Sequence, residues 1–252
     1  MKRIIKLLPL LLVISLFFTT SGFAKSENAK KSLVALGDSI PFGYGLTDST
    51  EEPSKEAFPY LIGKEADLRV RNLAVPGWKT TDLLNALNND QKFIQAVNKA
   101  DYITLNIGSN DLLKPIKDAL VASGGSLDEA AIRGLIEQQI KPAAFNLNNN
   151  IPLIIKKIYG LNPNVKIVLY NFYNPFNALG PSHPINLYGN PLILGINQSL
   201  VGLNNFYPGV RIANAYEIGL YPFNNLIPGD IHPSLVGHEI LAQMGLDALE
   251  SH

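Results

Sequence analysis

Apolar residues in this chain gather into short, nearly continuous runs of strand length, separated by stretches that carry them at helical spacing. The runs fall at residues 33–36, 68–75, 102–107, 165–170 and 210–213. They are rich in Val, Ile, Leu and Tyr and continuous more than alternating, which is the pattern of strands buried on both faces. Between them the spacing predicts a helix over 58–66, two within 81–98 and one over 190–205. Ser126-Leu127-Asp128-Glu129 has the form of a capping box that opens a long helical pattern, with Ser126 as the cap. Pro142 and Pro152 should kink or break that pattern. A last helix is predicted to start near Ser234 and to run to Ala248. Strands alternating with helices imply one parallel sheet with helices on both faces and right-handed crossovers. Residues 171–190 are the least regular stretch, with Pro175, Gly180, Pro181, Pro184 and Gly189. A loop of that length in a compact domain is often functional, and it is expected to form one wall of a cleft.

The first 24 residues do not belong to this pattern. Lys2, Arg3 and Lys6 precede an apolar run from 7 to 18, and Gly22-Phe23-Ala24 ends it with small residues. This reads as a secretory signal peptide cleaved after Ala24. The run is shorter than the about 20 residues that a spanning helix needs. No cysteine follows it, which argues against a lipid anchor. Residues 25–31 are polar and read as a flexible arm, and 32–252 as one domain.

Composition then narrows the chemistry. Residues 25–252 hold 18 basic against 21 acidic side chains, with no run of like charge, so the basic stripe that nucleic-acid binding needs is missing. The chain has no cysteine, which excludes disulfides, thiolate catalysis and Cys-ligated metal. Three convergent protein ligands at metal-binding spacing are not visible either, so neither metal nor cofactor is expected. No repeat or low-complexity segment suggests a structural coat or wall protein.

Four short segments follow strands or open helices: Gly37-Asp38-Ser39, Asn72-Leu73-Ala74-Val75-Pro76-Gly77, Gly108-Ser109-Asn110-Asp111, and Asp230-Ile231-His232-Pro233-Ser234. In a parallel sheet the carboxyl ends of the strands share one rim, where ligands bind in open α/β folds. Alone, Ser39 is an ordinary turn residue. With His232 as a base within reach it becomes a nucleophile. The N–H of Ser39, the N–H of Gly77 and the Asn110 amide are three donors for an oxyanion. Glycine at 77 should let the backbone come close to it without a side chain in the way.

These residues carry a resemblance. The chain resembles the SGNH (GDSL) hydrolase family of serine esterases and lipases, whose four signature residues match Ser39, Gly77, Asn110 and His232 in order. Gly-Asp-Ser-Ile stands where the family usually has Gly-Asp-Ser-Leu, and the likeness spans residues 33 to about 248. The resemblance implies a three-layer α/β/α sandwich on a five-stranded parallel sheet, flavodoxin-like, in the order 2-1-3-4-5. It also implies a secreted, cofactor-independent hydrolase of carboxylic esters. There is one departure. The family places its acid three residues before the histidine, and here that position is Gly229. The nearest acid is Asp230, two residues before, and in extended backbone it would point to the same side as His232. The rival reading is that a backbone carbonyl orients the imidazole and Asp230 only caps the last helix.

The remaining polar and aromatic residues have plainer readings. Asp38 and Asp111 are expected to accept hydrogen bonds from their own turns. His183 falls in the irregular stretch, where it could line the cleft, and His238 reads as a surface or packed residue of the last helix. Trp78 either packs the domain or walls the cleft, and Phe42, Tyr44, Phe172, Tyr173 and Phe176 are candidates for the same wall. Apolar and aromatic loops near the site favour a lipid ester, as in a lysophospholipase or lipase. The alternative substrate is an acetylated polysaccharide. The alternative of another class is a non-catalytic glycan- or lipid-binding module. The expected partner is a small-molecule or lipid ester, with membrane or cell-wall contact only through the substrate and the chain as a monomer. No long amphipathic lid is apparent, a mild argument against large lipid aggregates as substrate.

Overall fold

The computed structural model describes residues 29–48 and 50–251. The predicted leader and residues 25–28 of the predicted arm lie outside them. Lys31, at the end of that arm, is tied down, since its carbonyl accepts the Arg69 N–H at 2.8 Å.

The chain opens with β1 (Ser32–Gly37), a one-turn helix α1 (Ser39–Phe42), α2 (Phe58–Glu65) and β2 (Arg69–Asn72). It continues through α3 (Thr80–Asn89), α4 (Gln91–Asn98), β3 (Tyr102–Asn106), α5 (Ser109–Ala122) and α6 (Glu129–Leu135). A π-turn (Ile136–Ile140) leads into α7 (Lys141–Leu161) and β4 (Lys166–Tyr170). A 3-10 turn (Pro175–Leu179), α8 (Pro184–Val201) and β5 (Val210–Ala213) follow. The short α9 (Pro222–Asn225) and the long α10 (Leu235–Glu250) close the chain. Among the described residues, five strands form one sheet in the order β2-β1-β3-β4-β5, every pair parallel. This is the predicted α/β architecture and strand order.

β1, β3 and β4 alternate their side chains between two cores. Val34, Leu36, Ile103, Leu105, Ile167 and Leu169 face the larger core with α3, α5 and α7, whereas Leu33, Val168 and Tyr170 face the smaller one with α2 and α10. Interior β1 is buried throughout, as its continuous apolar run implies. β2 is not: it is shorter than the predicted 68–75 and half-exposed. It lies at the sheet edge, so one side has no strand to cover it.

The structure refines several helical expectations. The cap before α6 is Asp128, whose carboxylate accepts the Ala131 N–H at 2.7 Å, not Ser126. Pro142 does mark an interruption, since α6 ends at Leu135 and a π-turn separates it from α7. The Lys141 N–H bonds the Ile136 carbonyl five residues back, so Pro142 stands at the start of a fresh α-ladder, where its missing N–H costs little. Pro152 lies inside α7, yet the helix runs on. An interior proline costs about 3 kcal/mol. Ile151, Ile154, Ile155 and Ile158 are wholly buried on that helix, each contributing about 1.5–3 kcal/mol, which outweighs it. Finally, 171–190 is not a long loop. It holds the 3-10 turn and the start of α8, which begins at Pro184 and not near 190.

Among the described residues no helix is long and apolar enough to cross a membrane, and no cluster of three or more His, Cys, Asp or Glu could hold a metal ion.

Candidate active site

The sheet order reverses direction between β1 and β3, and such a switch point opens a crevice at the carboxyl ends of the two strands. Ser39 leaves β1 and Asn110 leaves β3 at that crevice. The two strand ends cross closely. The Asp38 N–H bonds the Asn106 carbonyl, and any Cβ at Gly37 would overlap that carbonyl oxygen. Asp38 caps α1 by accepting the Ile40 N–H at 3.1 Å, and Gly43 ends that turn in the left-handed conformation (φ 77°). This one-turn helix fixes where the Ser39 hydroxyl points.

His232 Nε2 lies 3.0 Å from Ser39 Oγ, and His232 Nδ1 lies 2.7 Å from Asp230 Oδ1. The three side chains form one hydrogen-bonded line. Asp230 reaches the ring by a route the sequence did not suggest. The segment is bent, not extended. Asp230 Oδ1 also accepts the backbone N–H groups of Ile231 and His232, so the carboxylate curls over its own turn to meet Nδ1. Gly229, at φ 76°, permits that bend. Partial burial pushes the Asp230 carboxyl up, but the hydrogen bond and charge of His232 and the two backbone N–H groups outweigh it. The carboxyl titrates below the ordinary carboxylate range. Asp230 does not cap α10. Ser234 does, its hydroxyl accepting the Gly237 N–H at 3.2 Å.

The histidine loop is stitched down. The Ile227 N–H bonds the His232 carbonyl at 3.0 Å, the Asp230 N–H bonds the Ile227 carbonyl at 2.9 Å, and Leu226 pairs with Pro233. The Tyr173 hydroxyl donates to the Ile231 carbonyl at 2.8 Å, and burial, with the nearby Asp38 and Asp230 carboxyls, raises it well above the ordinary tyrosine range. Tyr44 leans its ring on His232, 5.0 Å between centroids.

Ser39, Gly77, Asn110 and His232 line one open cleft. Asn110 donates one amide hydrogen to the Trp78 carbonyl at 3.0 Å, which orients the amide and leaves its second hydrogen to spare. Among the described residues the Gly77 N–H has no partner, and the Ser39 N–H opens α1 with no preceding turn to bond to. Gly77 adopts a left-handed dihedral (φ 81°) that favours glycine, and the protein leaves the space beside it open, since a Cβ there would meet no protein atom within 4 Å. Asn72 braces the Gly77 loop. Its amide donates to the Pro41 carbonyl at 2.6 Å and its carbonyl accepts the Ala74 N–H, tying the Gly77 loop to α1.

Asp111 does not bond its own turn. It accepts the Thr80 N–H at 2.9 Å and the Thr80 hydroxyl at 2.6 Å, joining α5 to α3. Asp38 is wholly buried with Oδ2 unpartnered, and burial first, then the nearby Asp111 charge, raises its carboxyl to about 7.

A second, more enclosed cavity opens at Ser39 and His232 and runs between α5, the π-turn and α8. Its lining is mostly apolar. Phe172, Tyr173 and Phe176 contribute to it, so the 171–190 stretch does wall the site. Phe42 and Trp78 do not line it. Phe42 is buried in the core and Trp78 stacks on Phe93 at 5.3 Å. His183 lines a neighbouring cavity, and its Nδ1 accepts the Ile185 N–H at the start of α8. His238 is packed, not exposed, and its Nδ1 accepts the Phe58 N–H at 3.2 Å.

The sequence pattern of the GDSL-like Lipase/Acylhydrolase family matches residues 35–240. The uncharacterized protein YpmR of Bacillus subtilis (strain 168) is 27% identical over 163 residues, which span 63% of this chain and 59% of that protein. Among solved structures, the lipase Lip_vut3 from goat rumen metagenome shares 24% identity with a TM-score of 0.66, over 87% of this chain and 97% of that one. Phospholipase A1 from Streptomyces albidoflavus NA297 shares 18% identity with a TM-score of 0.67, over 88% and 99%. These two likenesses are of fold.

Proposed function

The chain belongs to the GDSL-like lipase/acylhydrolase family, and from that premise we propose that it is an exported serine hydrolase of carboxylic esters, acting on lipid esters such as lysophospholipids. The observation that carries this reading is the Asp230–His232–Ser39 line at the mouth of an apolar cavity.

Ser39 Oγ attacks the ester carbonyl carbon as His232 Nε2 takes its proton. The carbonyl electron pair moves onto oxygen, and the N–H groups of Ser39 and Gly77 and the free Asn110 amide hydrogen hold the oxyanion. Asp230 holds His232 with Nδ1 protonated and Nε2 free to accept, and stabilises the imidazolium. Collapse breaks the bond to the alkoxide, which leaves with the proton from Nε2, and the acyl group stays on Ser39. A water then gives its proton to Nε2 and attacks the acyl carbon. Ser39 leaves reprotonated, and a carboxylic acid is released. No step needs a group beyond these side chains, the ester and water.

The apolar lining of the deep cavity favours an acyl chain over an acetyl group. Export rests on the leader-like residues 1–24, and contact with a membrane or wall would come through the substrate. The test is hydrolysis of p-nitrophenyl esters from acetyl to palmitoyl by the protein and by Ser39→Ala. Turnover by the wild type alone, best with longer chains, is expected. Equal turnover by both, or none by either, overturns the serine mechanism. An optimum at acetyl overturns the lipid preference alone.

A further inference from the structure

The deep cavity at Ser39 does not stand alone. A second cavity, of about 290 Å³, lies beside it, under α5, α6 and the 3-10 turn. Five residues line both: Ile116, Ile136, Ile140, Phe176 and Ile185. They come from α5, the π-turn, the 3-10 turn and α8, so the wall between the cavities is one layer of side chains. Three of them, Ile116, Ile136 and Ile140, are buried and held by the core, whereas Phe176 and Ile185 are only partly buried. The backbone under Phe176 is pinned. Its N–H bonds Asn174 Oδ1 at 2.9 Å, and Asn174 donates to Asn186 and Asn190. What can move there is the ring. Phe176 and Ile116 also line the open cleft above Ser39, so all three spaces meet at these two residues, and of the two only Phe176 is not buried in the core. Beyond the septum the second cavity is again mainly apolar, lined by Leu120, Leu127, Ile132 and Leu135. A π-turn inside a helix, here supplying two of the five septum residues, is a feature found mostly at functional sites.

We propose that the two cavities are compartments of one acyl channel, and that Phe176 at their junction sets the chain-length preference of the enzyme. A short acyl group fills the first compartment. A long one passes the Phe176 ring and buries its distal methylenes against Leu127 and Ile132. This rests on the lipid-ester reading of the site. Each methylene moved from water into an apolar chamber adds favourable free energy, so affinity should climb with length only while the second compartment is open.

The test blocks the far compartment without touching the near one. Leu127 lines only the second cavity and is partly buried, so Leu127→Trp fills it. Phe176→Ala opens the junction. Two readouts are used: kcat/KM for p-nitrophenyl butanoate and hexadecanoate, and binding of octanoate and hexadecanoate by displacement of cis-parinaric acid, which needs no turnover. In the wild type hexadecanoate should bind at least tenfold more tightly than octanoate. Leu127→Trp should abolish that difference and lower hexadecanoate turnover at least tenfold, with butanoate unchanged within twofold. Phe176→Ala should raise the hexadecanoate-to-butanoate ratio several-fold. Unaltered length dependence in a folded Leu127→Trp protein overturns the channel, as does an equal loss at all lengths. Should esters not be turned over through Ser39, the catalytic reading fails and the binding series still decides the channel.

Discussion

Removing the Asp230 side chain separates two ways of orienting His232, and the structure sets how much each substitution should cost. One oxygen, Oδ1, accepts three N–H groups: His232 Nδ1 at 2.7 Å, the His232 backbone at 3.2 Å and the Ile231 backbone. Asp230→Ala leaves Nδ1–H without its acceptor and lets the ring turn or change tautomer. A buried triad acid is worth about 10⁴ in turnover. The Asp230 side chain is 38% exposed, so water can stand in partly, and a loss of about 10³ is expected. Asp230→Asn should behave differently. Its carbonyl oxygen can keep all three N–H groups, because a flipped amide would face two backbone donors with its own NH₂. The tautomer survives and only the charge is lost. The difference between a charged and a neutral hydrogen bond is about 1–1.5 kcal/mol, which corresponds to a loss of about tenfold. The assay is kcat for p-nitrophenyl butanoate, with circular dichroism confirming the fold of each variant. A loss below tenfold in Asp230→Ala would refute the role of Asp230. Equal losses in the two variants would refute the assignment of Oδ1 as the fixed acceptor.

Three further outcomes are expected. Asn110→Ala removes one oxyanion donor and should lower kcat about 10²- to 10³-fold with KM little changed, as steady-state kinetics will read; a tenfold rise in KM with kcat intact would contradict it. Asp38, raised by burial from 3.8 to about 7, binds more protons folded than unfolded, so its stabilising contribution is complete below about 3.8 and lost as pH rises through about 7. Urea titrations of Asp38→Asn and wild type should therefore diverge in favour of the variant by on the order of 4 kcal/mol between pH 4 and pH 8, and parallel curves would rule this out. His238 runs the opposite way: burial first, then the nearby His232, lowers it from 6.5 to about 3, so its contribution is present above about 6.5 and lost as pH falls toward 3. His238→Asn keeps an acceptor for the Phe58 N–H and should move the acid-unfolding midpoint downward, whereas an unchanged midpoint would show that this histidine does not limit acid stability.

The strands were readable because β1, β3 and β4 lie inside the sheet, where both faces must be apolar and the run is continuous. β2 misled because edge position is a property of the assembled sheet, not of the segment. Pro142 was legible as an interruption of the helix, but the form of that interruption was not. A proline breaks a regular α-ladder, and no local rule announces the π-turn that resets the ladder just before it. Of the site, Ser39, Gly77, Asn110 and His232 stood in short blocks whose residue types suggested chemistry. Asn72, Tyr173 and Thr80 had no such signal, since their work is to hold backbone or carboxylate groups far away in sequence.

The layered α/β plan and the residues able to attack, accept a proton and hold an oxyanion can be read along the chain, because hydrophobic period and side-chain chemistry are local properties. Tertiary structure decided how they meet. It placed Ser39 3.0 Å from a histidine 193 residues away, folded Asp230 over a bend that no alternation rule foresees, and gave Asp111 to Thr80 in place of its own turn. It also decided that the cavity behind Ser39 ends at a one-side-chain septum, because a chamber's walls come from elements whose neighbours are chosen only when the whole chain packs.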